Sequence, residues 1–234
     1  MRRNLIIHGG IYHPFAESAA VLADALAECG IASEPTADVE GGLARLAAGG
    51  YDLLTVYALR WRMLDHEKYA PFRAQYAMTL SEAGRGAIQG FVAAGGAVLA
   101  LHTATICFGE WPGWGEILGA RWRWGQSFHP PEQRVQVHVA DGRHPITAGI
   151  ADFEVHDEIF HDLEPTALLH PLLSARATPE SAAQPLLWAR EHGRGRVVYD
   201  ALGHGADSIR HPVHRRILQQ SARWLCRDCE KTPA

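Results

Sequence analysis

Gly95-Gly96-Ala97-Val98-Leu99-Ala100-Leu101-His102-Thr103-Ala104-Thr105-Ile106-Cys107-Phe108 decides how this chain is read. The glycine pair ends a helix, Ala97 to Leu101 makes a short and wholly apolar strand, and an abrupt turn then presents His102. In α/β enzymes, the turn at the carboxyl edge of a parallel sheet is where a nucleophile is displayed. Here an imidazole stands in place of a thiol or hydroxyl, flanked by Thr103 and Thr105, with Cys107 downstream.

Outward from that strand, helix and strand signals alternate. Upstream, Thr79-Leu80-Ser81-Glu82 fits a capping box opening a helix that carries Ala87, Ile88, Phe91 and Ala94 inward. Residues 62–78 lack an apolar period and read as an insertion or flap. Asp52 to Tyr57 is a strand that runs into Arg60 and Trp61. Before it lie a strand at Leu5 to Ile7, a helix at Phe15 to Cys29, a strand at Ile31 to Glu34 and a short helix at Leu43 to Ala47. The first of these helices carries Phe15, Leu22, Leu26 and Cys29 on one stripe and stops at Gly30.

Downstream, Arg134 to Val139 alternates like a strand, His144-Pro145-Ile146-Thr147 marks a turn, and Phe153 to Phe160 is extended. Leu186 to Ala189 and Arg196 to Ala201 flank a tight turn and read as a hairpin. Pro212 starts a last helix with Val213, Ile217 and Trp224 on one stripe. This order predicts an α/β fold with a mainly parallel sheet and right-handed crossovers, as a single domain over residues 1–234.

Composition narrows the function. At 234 residues and 47% hydrophobic, the chain can bury a large core, and a net charge of −4 without basic runs leaves no footprint for nucleic acid or an anionic membrane surface. No apolar stretch approaches the roughly 20 residues of a spanning helix, and the run after Arg3 is too short for a signal peptide. A cytoplasmic protein with a small-molecule partner is expected. Four cysteines do not make a disulfide framework, and a lone Cys226-x-x-Cys229 reads as terminal-helix thiols, since zinc or redox chemistry needs more ligands or another context. Histidine is abundant, at 14 residues.

Several motifs together resemble the ThuA-like (trehalose utilisation) family. They are His8-Gly9-Gly10-x-Tyr12-His13, the strand ending Leu101-His102-Thr103-Ala104, and Trp122-x-Trp124-Gly125-x-Ser127-x-His129. His144-Pro145-Ile146, Asp157-Glu158, Gly193-x-Gly195-Arg196-Val197-x-Tyr199 and Leu202-Gly203-His204 complete the set. The resemblance implies a class I glutamine amidotransferase-like fold, a flavodoxin-like three-layer sandwich, in bacteria that process disaccharides. Against the amidotransferase pattern, His102 occupies the nucleophile-cysteine position. His204 matches the triad histidine, and Ala206 replaces the glutamate. A Cys-His-Glu triad needs all three groups, so glutamine hydrolysis by that route is not expected.

On this fold His8, His13, His102 and His204 leave separate strand ends and are expected to converge on one crevice, with His102 projecting outward. Only one of Asp157 and Glu158 enters the pocket, because successive strand residues face opposite ways, and the other is expected in solvent. His156 and His161 read as surface residues. Arg60, Trp61, Thr103, Trp124, Ser127 and His129 are candidate substrate-binding residues, tryptophan being suited to the apolar face of a sugar ring.

Two chemistries fit. In one, His102 and His204 are general acid and base on a disaccharide, glycoside or keto-sugar, as in an isomerase or hydrolase; an ordinary histidine pKa near 6.5 suits both roles. In the other, two or three of these residues bind a divalent metal that polarises a carbonyl or activates water. Metal-free acid–base chemistry is favoured, as no local metal signature is present. A non-catalytic sugar-binding or regulatory protein is the alternative from another class, and a homodimer is compatible with the resemblance.

Overall fold

The computed structural model describes residues 1–176, 178 and 180–227, so Cys229 lies outside the described residues. The first half alternates β1 (Arg2–Gly9), α1 (Phe15–Ala27), β2 (Ile31–Thr36), α2 (Val39–Ala48) and β3 (Leu53–Ala58). A 3-10 segment at Glu67–Phe72 leads to α3 (Arg73–Tyr76), α4 (Glu82–Ala93), β4 (Ala97–Leu101), a 3-10 turn at His102–Thr105 and α5 (Pro112–Leu118). Then follow β5 (Ala120–Arg121), β6 (Gln133–Val139), β7 (Phe153–Asp157), β8 (Glu164–Pro165), β9 (Pro171–Ala175), β10 (Gln184–His192) and β11 (Gly195–Asp200). Helices α6 (Ala206–Arg210) and α7 (Pro212–Leu225) close the described chain.

The large sheet runs β2-β1-β3-β4-β11-β10-β9-β6-β7, and β5 pairs with β8 separately. From β2 to β11 every pairing is parallel; beyond β11 every pairing is antiparallel. Helices α1 and α7 pack on each other and one sheet face, with α2 and α4 likewise on the other. That covering explains why β3, β4 and β11 are buried at every position. The sequence reading missed β9, whose five residues carry too little pattern to stand out from the surrounding loops.

Local chemistry corrects two helix readings. Ser81, rather than Thr79, caps α4: its hydroxyl accepts from Gly84 N–H at 2.9 Å. Gly84, at the third helical position, has no side chain to return the bond, and the Ser81 N–H donates instead to Glu40 of α2 at 2.8 Å, so the box is closed between two helices. Accordingly Gly84, Ile88 and Val92 face inward, while Ala94 is exposed. In α7 the buried stripe is His214, Ile217, Leu218, Ser221, Ala222 and Leu225, with Val213 and Trp224 only partly covered.

All parallel strands end at one edge of the sheet. Strand β7, four places beyond β11 in the order, points the same way, because four antiparallel steps restore the direction. Yet Asp157 at its end accepts hydrogen bonds from Gly203 and His204, just after β11. At about 4.8 Å per strand a flat sheet would hold them far apart, so the antiparallel extension curls back over the edge. Among the described residues no helix is long and apolar enough to cross a membrane.

Candidate active site

His102 follows β4 with a backbone φ of +49°, a left-handed conformation that an L-residue holds only when its surroundings fix it. Several bonds do so. Tyr199 O–H donates to the His102 carbonyl at 2.8 Å, and Thr103 O–H donates to the Ala58 carbonyl at 2.6 Å. His102 Nδ1 lies 2.7 Å from the Ala201 carbonyl. The side chain is fully buried rather than projecting outward, packs against the Phe160 ring at 4.8 Å between centroids, and makes its polar contacts to other site side chains through Nε2. That atom is 3.1 Å from His13 Nε2 and 3.4 Å from Glu158 Oε2.

Three of the four expected histidines do meet. His13, His102, His204 and Glu158 each place one nitrogen or oxygen within 4.8 Å of the others. His8 does not join them. After β1 the chain turns through Gly9 and Gly10, both at positive φ, and His8 lies with Gly9, Arg60 and Tyr76 along a second, shallower cleft. Arg60 stacks over Tyr76 at 5.1 Å there and does not reach the main cavity.

Both acidic candidates are buried, against the expectation that one is in solvent. Glu158 faces the cavity, 3.2 Å from His129 Nδ1 and 3.3 Å from His204 Nδ1. Burial opposes its charge, but His102, His129 and His204 override that and hold the carboxyl well below the usual range. Asp157 turns away and accepts from Gly203 N–H at 2.7 Å, His204 N–H at 3.1 Å and the Ser208 hydroxyl. It positions the loop that carries His204. His161 is also buried, stacked on Phe128, whereas His156 is exposed.

Above this floor lies a cavity of about 500 Å³ walled by Trp61, Trp122, Trp124, Tyr12, Tyr69 and Phe160. Trp61 stacks on Trp124 with ring centroids 5.7 Å apart. The aperiodic stretch at 62–78 supplies Tyr69, which packs edge-on against both of those rings and makes the segment a cavity wall. Tyr12, Trp124 and Phe128, among the most exposed large apolar side chains, all border the cavity. Thr103, Ser127 and His129 line it too, although the Ser127 hydroxyl is engaged by the Asp162 carbonyl at 2.9 Å.

Electrostatics separates the rings. Burial, with His102 beside it, drives the His13 pKa down to about 3. His129 is raised by its hydrogen bond to Glu158; His204 is raised because Glu158 outweighs its burial. Cys107, held between the Arg60 N–H and the Ala58 carbonyl, is fully buried and pushed up to about 12, which keeps it a thiol.

A family model described as trehalose utilisation, ThuA, matches residues 6–225, which hold the site and all of the fold but the start of β1 and the last described residues. The chain belongs to the ThuA family. Its fold is shared by a ThuA-like protein from Parabacteroides merdae, at TM-score 0.76 and 18% identity over 96% of this chain and 90% of that one. A Salmonella typhimurium protein described as cytoplasmic matches at TM-score 0.58 and 14% identity, over 98% and 100% of the two chains. A β-galactosidase from Rahnella matches at TM-score 0.59 and 17% identity, with 99% of this chain covering 31% of that enzyme. No curated protein matches in sequence. In this ThuA chain the sequence reading overlooked Tyr12, Tyr69 and Phe160 as walls and, as struts, Tyr199 and Tyr57, whose hydroxyl donates to the Gly203 carbonyl. A tyrosine inside an apolar strand was the available signal for the last two, because a buried phenol needs a partner.

Proposed function

We propose that this ThuA protein is an enzyme that transforms a sugar, held by the tryptophan-walled cavity with its reacting carbon over the Glu158 floor. The reading rests on one observation: aromatic walls and a histidine–carboxylate cluster share a single cavity, the arrangement expected of a site that binds an apolar ring face and acts on polar substituents. Membership of a trehalose-utilisation family makes trehalose, other disaccharides and their keto derivatives the substrates to try first.

Proton transfer falls to groups that reach the cavity. His129, raised by Glu158 and partly exposed, suits proton exchange with the substrate, while Glu158, held ionised, supplies the negative charge that sets the rings around it. His102 is sealed below and serves the floor instead of the substrate. The strand order β2-β1-β3-β4-β11 supports the flavodoxin-like, amidotransferase-like reading of the scaffold. With His102 at the elbow and Ala206 after His204, two of the three residues of a glutaminase triad are missing.

The test is a screen of these sugars by NMR with the full chain. One of them is consumed by the wild type; Glu158→Gln cuts kcat at least about 100-fold, in line with loss of the charge that sets His129 and His204, and Trp124→Ala raises KM more than it lowers kcat. Tight binding with no chemical change across the set overturns the enzymatic reading in favour of a sugar-binding protein.

A further inference from the structure

We propose that His13, His102, His204 and Glu158 bind one divalent transition-metal ion per chain, at the floor of the cavity. Carbonyl oxygens only accept hydrogen bonds. His13 Nδ1, 3.0 Å from the Ile11 carbonyl, and His102 Nδ1, 2.7 Å from the Ala201 carbonyl, therefore carry the ring hydrogens. In the neutral rings both Nε2 atoms are then bare, and they face each other at 3.1 Å. The Glu158 carboxylate adds a third electron-rich atom, Oε2, 3.4 Å from His102 Nε2. His204 Nδ1 is buried without a hydrogen-bond partner, 3.3 Å from that same oxygen.

Lone pairs aimed at one another repel until a cation sits among them. A proton joins only two of these atoms, whereas a metal ion takes all four. Three of the six spacings, 3.1, 3.4 and 3.3 Å, suit it, since ligand atoms about 2.0–2.1 Å from a tetrahedral ion stand about 3.3–3.4 Å apart, and all four atoms lie within 4.8 Å of one another. Three imidazole nitrogens and one carboxylate oxygen select zinc or a neighbouring ion such as cobalt or nickel over magnesium or calcium, which prefer oxygen.

The groups behind the ligands agree. Backbone carbonyls orient His13 and His102, Glu132 lies 3.4 Å from His204 Nε2, and His129 lies 3.2 Å from the outer oxygen of Glu158. A metal-binding histidine characteristically has such an acceptor at its other nitrogen. Full burial, which bars His102 from touching a sugar, is no obstacle to a ligand.

The experiment needs no sugar, so its outcome is separable from that of the enzymatic reading. The full chain is freed of metal with a chelator, dialysed and titrated with Co²⁺ and then Zn²⁺. About one equivalent of Co²⁺ is expected, with the visible absorption of a low-coordinate site, displaced by Zn²⁺, which also raises the melting temperature. His102→Ala and Glu158→Gln each weaken binding by more than the roughly 10–100-fold that loss of a group behind a ligand costs. His138→Ala, an exposed histidine on β6 paired with Asp152, binds as the wild type does. Circular dichroism verifies that each variant is folded, and Glu158→Gln carries the test if His102→Ala is not. Failure of the wild type to bind, or equal affinity in wild type and a folded ligand variant, overturns the proposal.

Discussion

Asp157 accepts four hydrogen bonds, from the N–H groups of Glu158, Gly203 and His204 and from the Ser208 hydroxyl, with no exposed surface of its own. Asp157→Ala leaves those buried donors without an acceptor and should cost about 3 kcal/mol or more, read as a lowered urea midpoint. An unchanged midpoint would show that the His204 loop holds without it. Strand alternation made half of this legible, since it puts only one of the two acidic residues in the cavity. What covers the opposite face, the 201–205 loop and α6, is remote in sequence, and nothing local to β7 announces it. His8 failed for a related reason: a strand end was readable, but the direction of the chain through Gly9 and Gly10 was not. His13, His102 and His204 were found because each follows directly on a glycine-marked strand end or its turn.

Between elements, the Glu40–Ser81 contact joins α2 to α4 as well as capping α4. The Glu40 carboxylate takes both the N–H and the hydroxyl of Ser81, each at 2.8 Å. Ser81→Ala removes the hydroxyl that accepts from Gly84 and should destabilise the fold by about 1 kcal/mol. Glu40→Gln keeps an acceptor for the N–H and should cost less; chemical denaturation of both variants ranks them, and the reverse order would contradict this account. A tripeptide spacing suggested the cap, yet its true partner lies 41 residues away, beyond the reach of any local pattern. The parallel block was readable because its strands are continuous apolar runs between helices. The extension is not, because short half-exposed strands such as β9 resemble loops.

Over the whole molecule, histidines pull stability in two directions. Burial holds His8, His144, His161, His192 and His211 below their ordinary value. Such groups take up protons more readily when unfolded, so stability falls as pH drops below about 6.5. His214 has the opposite sign: burial works against its charge, but Asp200, 3.1 Å away, raises it. Its contribution is complete below about 6.5 and is lost as pH climbs through its raised folded value. Urea midpoints should therefore decline on both sides of neutrality, and His214→Gln should remove part of the alkaline decline while keeping the acid one. A midpoint flat from pH 5 to 7 contradicts the first part. One last consequence concerns assembly. Strand β11 sits between β4 and β10 and, among the described strands, is the one whose pairing joins the parallel block to the extension. On the ribosome, every other strand of that sheet emerges before residues 195–200 can be slotted in, leaving two unzipped margins to be kept from stray pairing. The polypeptide thus builds both banks first and lays the keystone after them.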